Sequence, residues 1–94
     1  KSNTNIKNIN ISDAFIGIAN KDSSNLKGSF IKIKESKMFD VASFTKKKYY
    51  DTSKINIQNA EVNYDKVISQ INHISFINKK RIPTTRFDST MLYE

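Results

Sequence analysis

The sequence has no cysteine, one histidine, one proline and two glycines in 94 residues. Without cysteine it has neither a disulfide framework nor a thiolate metal site. His73 stands alone, so no histidine cluster can hold a metal, and beside an apolar segment it is expected to be a partly buried structural residue. The shortage of glycine and proline argues against a low-complexity linker. Gly17 and Gly28 lie too far apart for a phosphate-binding loop, and close backbone packing explains Gly17.

Long apolar runs and catalytic signatures are missing as well. No segment approaches the roughly 18 apolar residues of a membrane span, no signal peptide is recognisable, and no serine sits in a Gly-x-Ser-x-Gly elbow. We therefore expect no catalytic residue, no cofactor and no bound metal, and we do not expect an enzyme. The start at Lys1 rather than at methionine leads us to expect a mature form or a fragment of a longer protein, with residues 1–94 as a single domain or part of one.

The charge is strongly positive. Sixteen lysines and arginines against nine acidic residues give a formal net charge of +7. A basic domain can bind nucleic acid or an anionic surface. Here, however, lysine is accompanied by abundant asparagine and isoleucine, the three residues that AT-rich coding sequence favours, so composition bias explains much of the charge. We keep a basic nucleic-acid-binding domain as an alternative and do not expect nucleic acid as the partner.

One pattern recurs three times, starting near residues 9, 31 and 55. Ile9–Ile16, Ile31–Met38 and Ile55–Val62 each read Ile-polar-Ile-polar, an acid or amide, a small residue, any residue and an aliphatic, at offsets of 22 and 24 residues. The Ile-x-Ile alternation predicts a half-buried strand, and the acid or amide before a small residue predicts a tight bend. Such a return distance is typical of a parallel solenoid, in which strands stack about 4.8 Å apart.

These features predict an all-β fold: a right-handed parallel β-helix of about three coils with a C-terminal capping hairpin within residues 72–94. Its core would be isoleucine ladders at positions 9/31/55 and 11/33/57. The main alternative is an antiparallel β-sandwich. Exposed coil ends require a cover, so we expect preceding coils of a longer chain, or self-association through coil ends.

Two segments carry a family resemblance. Gly17–Ser24 and Val41–Tyr50 resemble consecutive coils of right-handed parallel β-helix domains in bacterial surface-type proteins, including those with CotH-like, kinase-related domains. The resemblance covers roughly residues 8 to 82. It implies a secreted or cell-surface setting and no catalytic residues. The sequence has no kinase-like segment, so that activity is not transferred.

One group of polar residues is a candidate for chemistry. Stacking the repeats would align Asp13, Glu35 and Asn59 at one bend, near Lys34 and Lys37. A β-helical polysaccharide lyase uses clustered carboxylates with Ca²⁺ and a basic residue. Bends also favour Asp and Asn for local hydrogen bonds, and we interpret the group as structural. A fragment of a β-helical polysaccharide-active enzyme remains an alternative.

Two basic clusters are the predicted binding residues. They are Lys46, Lys47, Lys48, Tyr49 and Tyr50, and Lys79, Lys80 and Arg81. Cations beside aromatic rings are also found in single-strand nucleic-acid binders, whereas on a β-helix they project from loops, keep the module soluble and block edge pairing. An anionic glycan suits the surface setting better than DNA. The sequence therefore predicts a non-catalytic structural or ligand-display module.

Overall fold

The structure, a computed structural model, describes residues 3–21, 24–44 and 53–86. These ranges contain nine strands: β1 Asn3–Ser12, β2 Ile16–Lys21, β3 Asn25–Lys34, β4 Phe39–Phe44, β5 Lys54–Glu61, β6 Val67–Gln70, β7 Ile74–Ile77, β8 Lys80–Arg81 and β9 Thr84–Thr85. A short 3-10 helix, Tyr64–Lys66, lies between β5 and β6. Within these ranges, no helix has the length and apolar character needed to span a bilayer.

The strands form two sheets. The first sheet has the order β1-β3-β5-β7-β8 and the second has the order β2-β4-β6-β9. From β1 to β7, successive strands alternate between the sheets, so neighbours within a sheet are parallel. Only β7 and β8 pair antiparallel in the described residues. The prediction of an all-β fold is confirmed. The alternative of an antiparallel β-sandwich is wrong, because all pairs of strands in the described residues except β7 with β8 are parallel.

The register corrects the predicted isoleucine ladders. Ile9 pairs with Ile31, as expected, but Ile31 then pairs with Ala60 rather than Ile55. Ile55 instead pairs with Leu26. The second ladder changes in the same way, since Ile11 pairs with Ile33 whereas Ile57 pairs with Gly28. The shift arises because β3 has two pairs of inward-facing residues, Leu26 with Gly28 and Ile31 with Ile33. The isoleucines of β5 lie in register with the first pair.

A left-handed residue separates the two inward-facing pairs of each long strand. Asn8, Phe30 and Asn59 have φ values of 57°, 56° and 52° and occupy equivalent positions in β1, β3 and β5. Each redirects the strand, so that inward positions are three residues apart there instead of two. Asp13 and Glu35, both with φ 58°, form a separate bend after β1 and β3. The predicted stack of Asp13 and Glu35 with Asn59 is therefore wrong, because Asn59 belongs to the other set.

The core lies between the sheets. Its fully buried members are mainly aliphatic: Ile18, Leu26, Ile31, Ile33, Val41, Ile55, Ile57, Ile77 and Ile82. A smaller apolar cluster contains Ala42 and Phe44, with Ile16, Met38, Phe39 and Ile68 packed against it. The alternation of isoleucine with polar residues thus supplies one buried face of the first sheet.

Gly17 lies where β2 approaches β4 and β3. A Cβ atom there would be 2.6 Å from the Asp40 carbonyl oxygen and 2.8 Å from Ile33 Cγ2, so close packing at Gly17 is confirmed. Gly17→Ala is expected to lower the free energy of unfolding by about 1–3 kcal/mol, because backbone must move to admit the methyl group. Urea unfolding measures the loss. Ala19→Ser, at an exposed position on the same strand, is the control, and equal small effects of both changes would contradict the packing.

Candidate functional site

The predicted binding residues divide into two groups. Lys46, Lys47, Lys48, Tyr49 and Tyr50 lie outside the described residues. Lys79, Lys80 and Arg81 lie at the hairpin of β7 and β8 and are exposed. Lys80 Nζ is 5.1 Å from the centroid of the Tyr64 ring, within the range of a cation–π contact. The cluster is thus displayed on a tight turn, in which Asn78 and Lys79 both have positive φ.

A larger set of cations lies on the outward face of the first sheet. We call it the basic face, and it consists of Lys7, Lys27, Lys32, Lys34 and Lys54. These lysines alternate with inward-facing residues along β1, β3 and β5, because successive side chains of a strand point to opposite sides of the sheet. Pairing brings together lysines that are up to 47 positions apart in the sequence (7 to 54).

Neutral polar groups flank every lysine of the basic face on at least one side. Lys27 lies between Asn5 and Asn56, and Lys7 pairs with Ser29. The remaining pairs are Asn10 with Lys32, Ser12 with Lys34 and Asn25 with Lys54. No lysine of this face pairs directly with another, which avoids the destabilising effect of like charges in register. The face therefore combines cations with amide and hydroxyl groups that can donate and accept hydrogen bonds.

Glu61 contacts the basic face. Lys32 Nζ lies 3.3 Å from Glu61 Oε2, with 42% and 71% of the two side chains exposed. Such an exposed pair contributes at most about 1 kcal/mol and is screened by salt. In residues 3–21, 24–44 and 53–86, no ion pair joins Lys7, Lys27, Lys34 or Lys54 to a carboxylate. Four of the five ammonium groups are available to an anionic ligand.

Two shallow grooves run between the side chains of this face. The first, of about 300 Å³, is lined by Asn10, Ile11, Ser12, Lys32 and Lys34. The second, of about 240 Å³, is lined by Asn5, Ile6, Lys7, Lys27, Gly28 and Ser29. Each groove places two lysines beside amide and hydroxyl groups across the paired strands β1 and β3. This arrangement can bind an extended anion and offers no buried reaction centre.

A serine–histidine pair lies inside the protein. Ser43 Oγ is 3.1 Å from His73 Nδ1, and the backbone N–H of Ser53 donates to the same nitrogen over 3.3 Å. The fixed N–H donor makes Nδ1 an acceptor, which places the proton of a neutral ring on Nε2. Nucleophilic catalysis uses a similar contact, but Ser43 is 0% and His73 2% exposed. The pair is therefore closed to solvent, and we interpret the contact as structural; His73, which was expected to be partly buried, is fully buried.

The acidic bend residues do not assemble a metal site in the described part of the chain. Asp13 and Glu35 are both exposed, and no group of three or more histidine, aspartate or glutamate side chains there could hold a metal ion. The backbone N–H of Asp13 donates to the Lys34 carbonyl oxygen over 3.2 Å, so the bend is stabilised by main-chain contacts between β1 and β3.

Comparison of the chain with protein-family models, with curated proteins and with solved structures found no match. The basic face is thus the feature from which a function can be argued. Sequence reasoning concentrated on contiguous basic runs and missed it. The available signal was partial. Lys32 lies within an Ile-x-Ile alternation and Lys34 and Lys54 directly flank one, so these three positions lie on the polar face of their strands, whereas Lys7 and Lys27 lie outside the repeat.

Proposed function

We propose that this chain is a non-catalytic ligand-display module that binds an anionic polysaccharide on its basic face. The observation that carries the proposal is the set of five exposed or half-exposed lysines in paired strands, four of them without a carboxylate partner among the described residues. Charge complementarity would attract an anionic chain. The amide and hydroxyl groups between the lysines would hydrogen-bond sugar hydroxyls and fix its position.

The proposal includes a fold and a setting. The alternation of successive strands between two parallel sheets supports a short right-handed parallel β-helix. The resemblance of Gly17–Ser24 and Val41–Tyr50 to β-helix coils of bacterial surface-type proteins supports a secreted or cell-surface location. In such a setting a rigid sheet presents its lysines at fixed spacing, about 7 Å between alternate residues of one strand and about 4.8 Å between strands. Rigid presentation lowers the entropy lost on binding.

A polysaccharide fits the basic face better than a single-stranded nucleic acid does. Proteins that bind single strands combine cations with aromatic side chains on which the bases stack. In β1, β3 and β5 the one aromatic residue is Phe30, which is 55% exposed, whereas stacking of successive bases needs several rings. Sugar hydroxyls need hydrogen-bonding neighbours instead, and asparagine and serine provide them here.

Removing three lysines from the basic face tests the proposal. The triple variant Lys27→Gln, Lys32→Gln and Lys34→Gln is expected to bind a polyuronate at least tenfold more weakly, a loss of about 1.4 kcal/mol. Isothermal titration at several salt concentrations measures the affinity, which should fall as salt rises. A neutral glucan of similar length should bind neither protein.

The matched control removes the same charge elsewhere. Lys79→Gln, Lys80→Gln and Arg81→Gln also delete three cations, from the hairpin of β7 and β8, and should leave polyuronate binding within about twofold. Loss of binding in the control but not in the basic-face variant would assign the site to the hairpin and contradict the proposal. Preferential binding to single-stranded DNA, or cleavage of the polyuronate, would replace it with a nucleic-acid or an enzymatic function.

A further inference from the structure

The two edges of the first sheet differ in how their outermost strands are paired. At one end, β8 folds back antiparallel onto β7. There Asn78 Oδ1 accepts from the Ala60 N–H, and its Nδ2 donates to the Ala60 carbonyl oxygen, both at 2.9 Å, so that a side chain takes the place of a further strand. At the other end, the ten-residue β1 pairs with β3 and with no second strand among the described residues. Long unpaired edges are sites of strand addition.

The inward face of β1 is also incompletely covered. Ile6, Ile9 and Ile11 are half-buried, whereas Ile31 and Ile33, their neighbours in β3, are 1% and 4% exposed. Covering these isoleucines would remove further apolar surface from water. The edge therefore offers both main-chain hydrogen bonds and an apolar surface to a partner.

The pattern of β1 is self-complementary. Because the left-handed Asn8 shifts the alternation, the inward positions are Thr4, Ile6, Ile9 and Ile11. This set is symmetric about the midpoint between Lys7 and Asn8. We propose that β1 pairs antiparallel with β1 of a second copy of this chain, with Ile6 opposite Ile9 of the other copy. The interface is then isologous, as in most two-fold dimers.

The same register also gives the outward side chains compatible partners. Asn5 lies opposite Asn10, and Lys7 lies opposite Asn8, so the one charged side chain of the strand faces a neutral partner. A shift by two residues would place Ile9 opposite Asn8, or Ile6 opposite Lys7. One register therefore matches apolar with apolar residues along the whole strand.

The edge is long enough for stable pairing. β1 has ten residues, more than the usual strand length of about five to six, so antiparallel pairing adds main-chain hydrogen bonds along the whole edge and covers the half-buried isoleucines. Dimer formation would extend the first sheet, and with it the basic face, across both copies without depending on any ligand.

Cysteine pairing tests the register, because an introduced thiol is the only one in the chain. Variants Asn5→Cys and Asn10→Cys, mixed and oxidised, are expected to form a covalent heterodimer. Each variant alone should give little, since its thiol is five residues, roughly 17 Å, from its symmetry mate, beyond the Cα separation of about 7 Å that a disulfide spans. Asn5→Cys mixed with Ser12→Cys, shifted by two residues, is the control.

Charge placement tests the interface itself. Thr4→Lys directs an ammonium group towards the apolar side opposite Ile11 and is expected to weaken association at least tenfold in sedimentation equilibrium. Asn3→Lys adds the same charge on the outward side, where its partner in β3 is the neutral Asn25, and should change association little; both positions are exposed, so each variant can fold. A monomeric mass of the unaltered chain at every concentration would overturn the proposal and leave the edge to a parallel strand of a longer chain. Equal cross-linking in the control mixture would also overturn it.

Discussion

Replacing Ile57 with alanine is expected to lower the free energy of unfolding by about 2–5 kcal/mol. Ile57 is 0% exposed and lies in register between Gly28 and Ile77. Truncation leaves a cavity that a close-packed core fills only partly. Urea unfolding with an unchanged m-value measures the loss. Ile71→Ala makes the same truncation at a residue that is 37% exposed and should change stability by less than about 0.5 kcal/mol.

A double-mutant cycle with Gly28 tests the register. A Cβ on Gly28 would come within 2.5 Å of Ile31 Cδ1 and 3.5 Å of Ile57 Cγ1, so Gly28→Ala alone should overpack the core by about 1–3 kcal/mol. In the Ile57→Ala background Ile31 can move into the vacated space. The double variant should therefore lose less unfolding free energy than the sum of the two single losses, by about 0.5–3 kcal/mol. Strict additivity would favour the ladder of Ile11, Ile33 and Ile57 that the repeat suggested.

The Ile-x-Ile repeat was sufficient to predict three strands of the first sheet. Ile9, Ile31 and Ile55 each lie in a strand of the first sheet, because β-branched residues in alternation suit a half-buried strand. The register could not be predicted, since β3 has an earlier inward pair at Leu26 and Gly28. The repeat points to Ile31 and Ile33 instead, because Gly28 has no side chain and Leu26-Lys27-Gly28 does not show the Ile-x-Ile pattern.

The left-handed residue inside each long strand explains why the pattern misled. Asparagine tolerates positive φ, so Asn8 and Asn59 are compatible with it, but Phe30 adopts φ 56° and is 55% exposed. Phenylalanine is favoured in strands, so residue preferences alone predict that β3 continues without a kink through this position. The neighbouring strands, which kink at the same level, impose the conformation instead.

The basic face was hidden for a related reason. Contiguous runs such as Lys79–Arg81 are visible in the sequence alone, whereas Lys7, Lys27 and Lys32 are separated by 20 and 5 positions. Their proximity depends on the pairing of β1 with β3. A binding surface built across strands becomes predictable only when the register is known, and the register depends on the left-handed residues.

His73→Ala is expected to cost about 2–4 kcal/mol of unfolding free energy. His73 precedes β7, and its Nδ1 contacts Ser43 Oγ of β4 and the N–H of Ser53 beside β5. The ring therefore links the two sheets. Its removal leaves a void and takes a hydrogen-bond partner from two groups in serines that are 0% exposed, and an unsatisfied buried group costs about 1–3 kcal/mol.

A second buried pair supplies the control for this loss. Ser69 Oγ and Ser75 Oγ lie 3.1 Å apart and are also buried. Changing both to alanine deletes donor and acceptor together, which is close to neutral, so the double variant should lose less than about 1 kcal/mol. Thermal and urea unfolding of both variants, with circular dichroism to verify the strands, measure the difference. A His73→Ala loss as small as that of the serine pair would show that the ring fills space without linking the sheets.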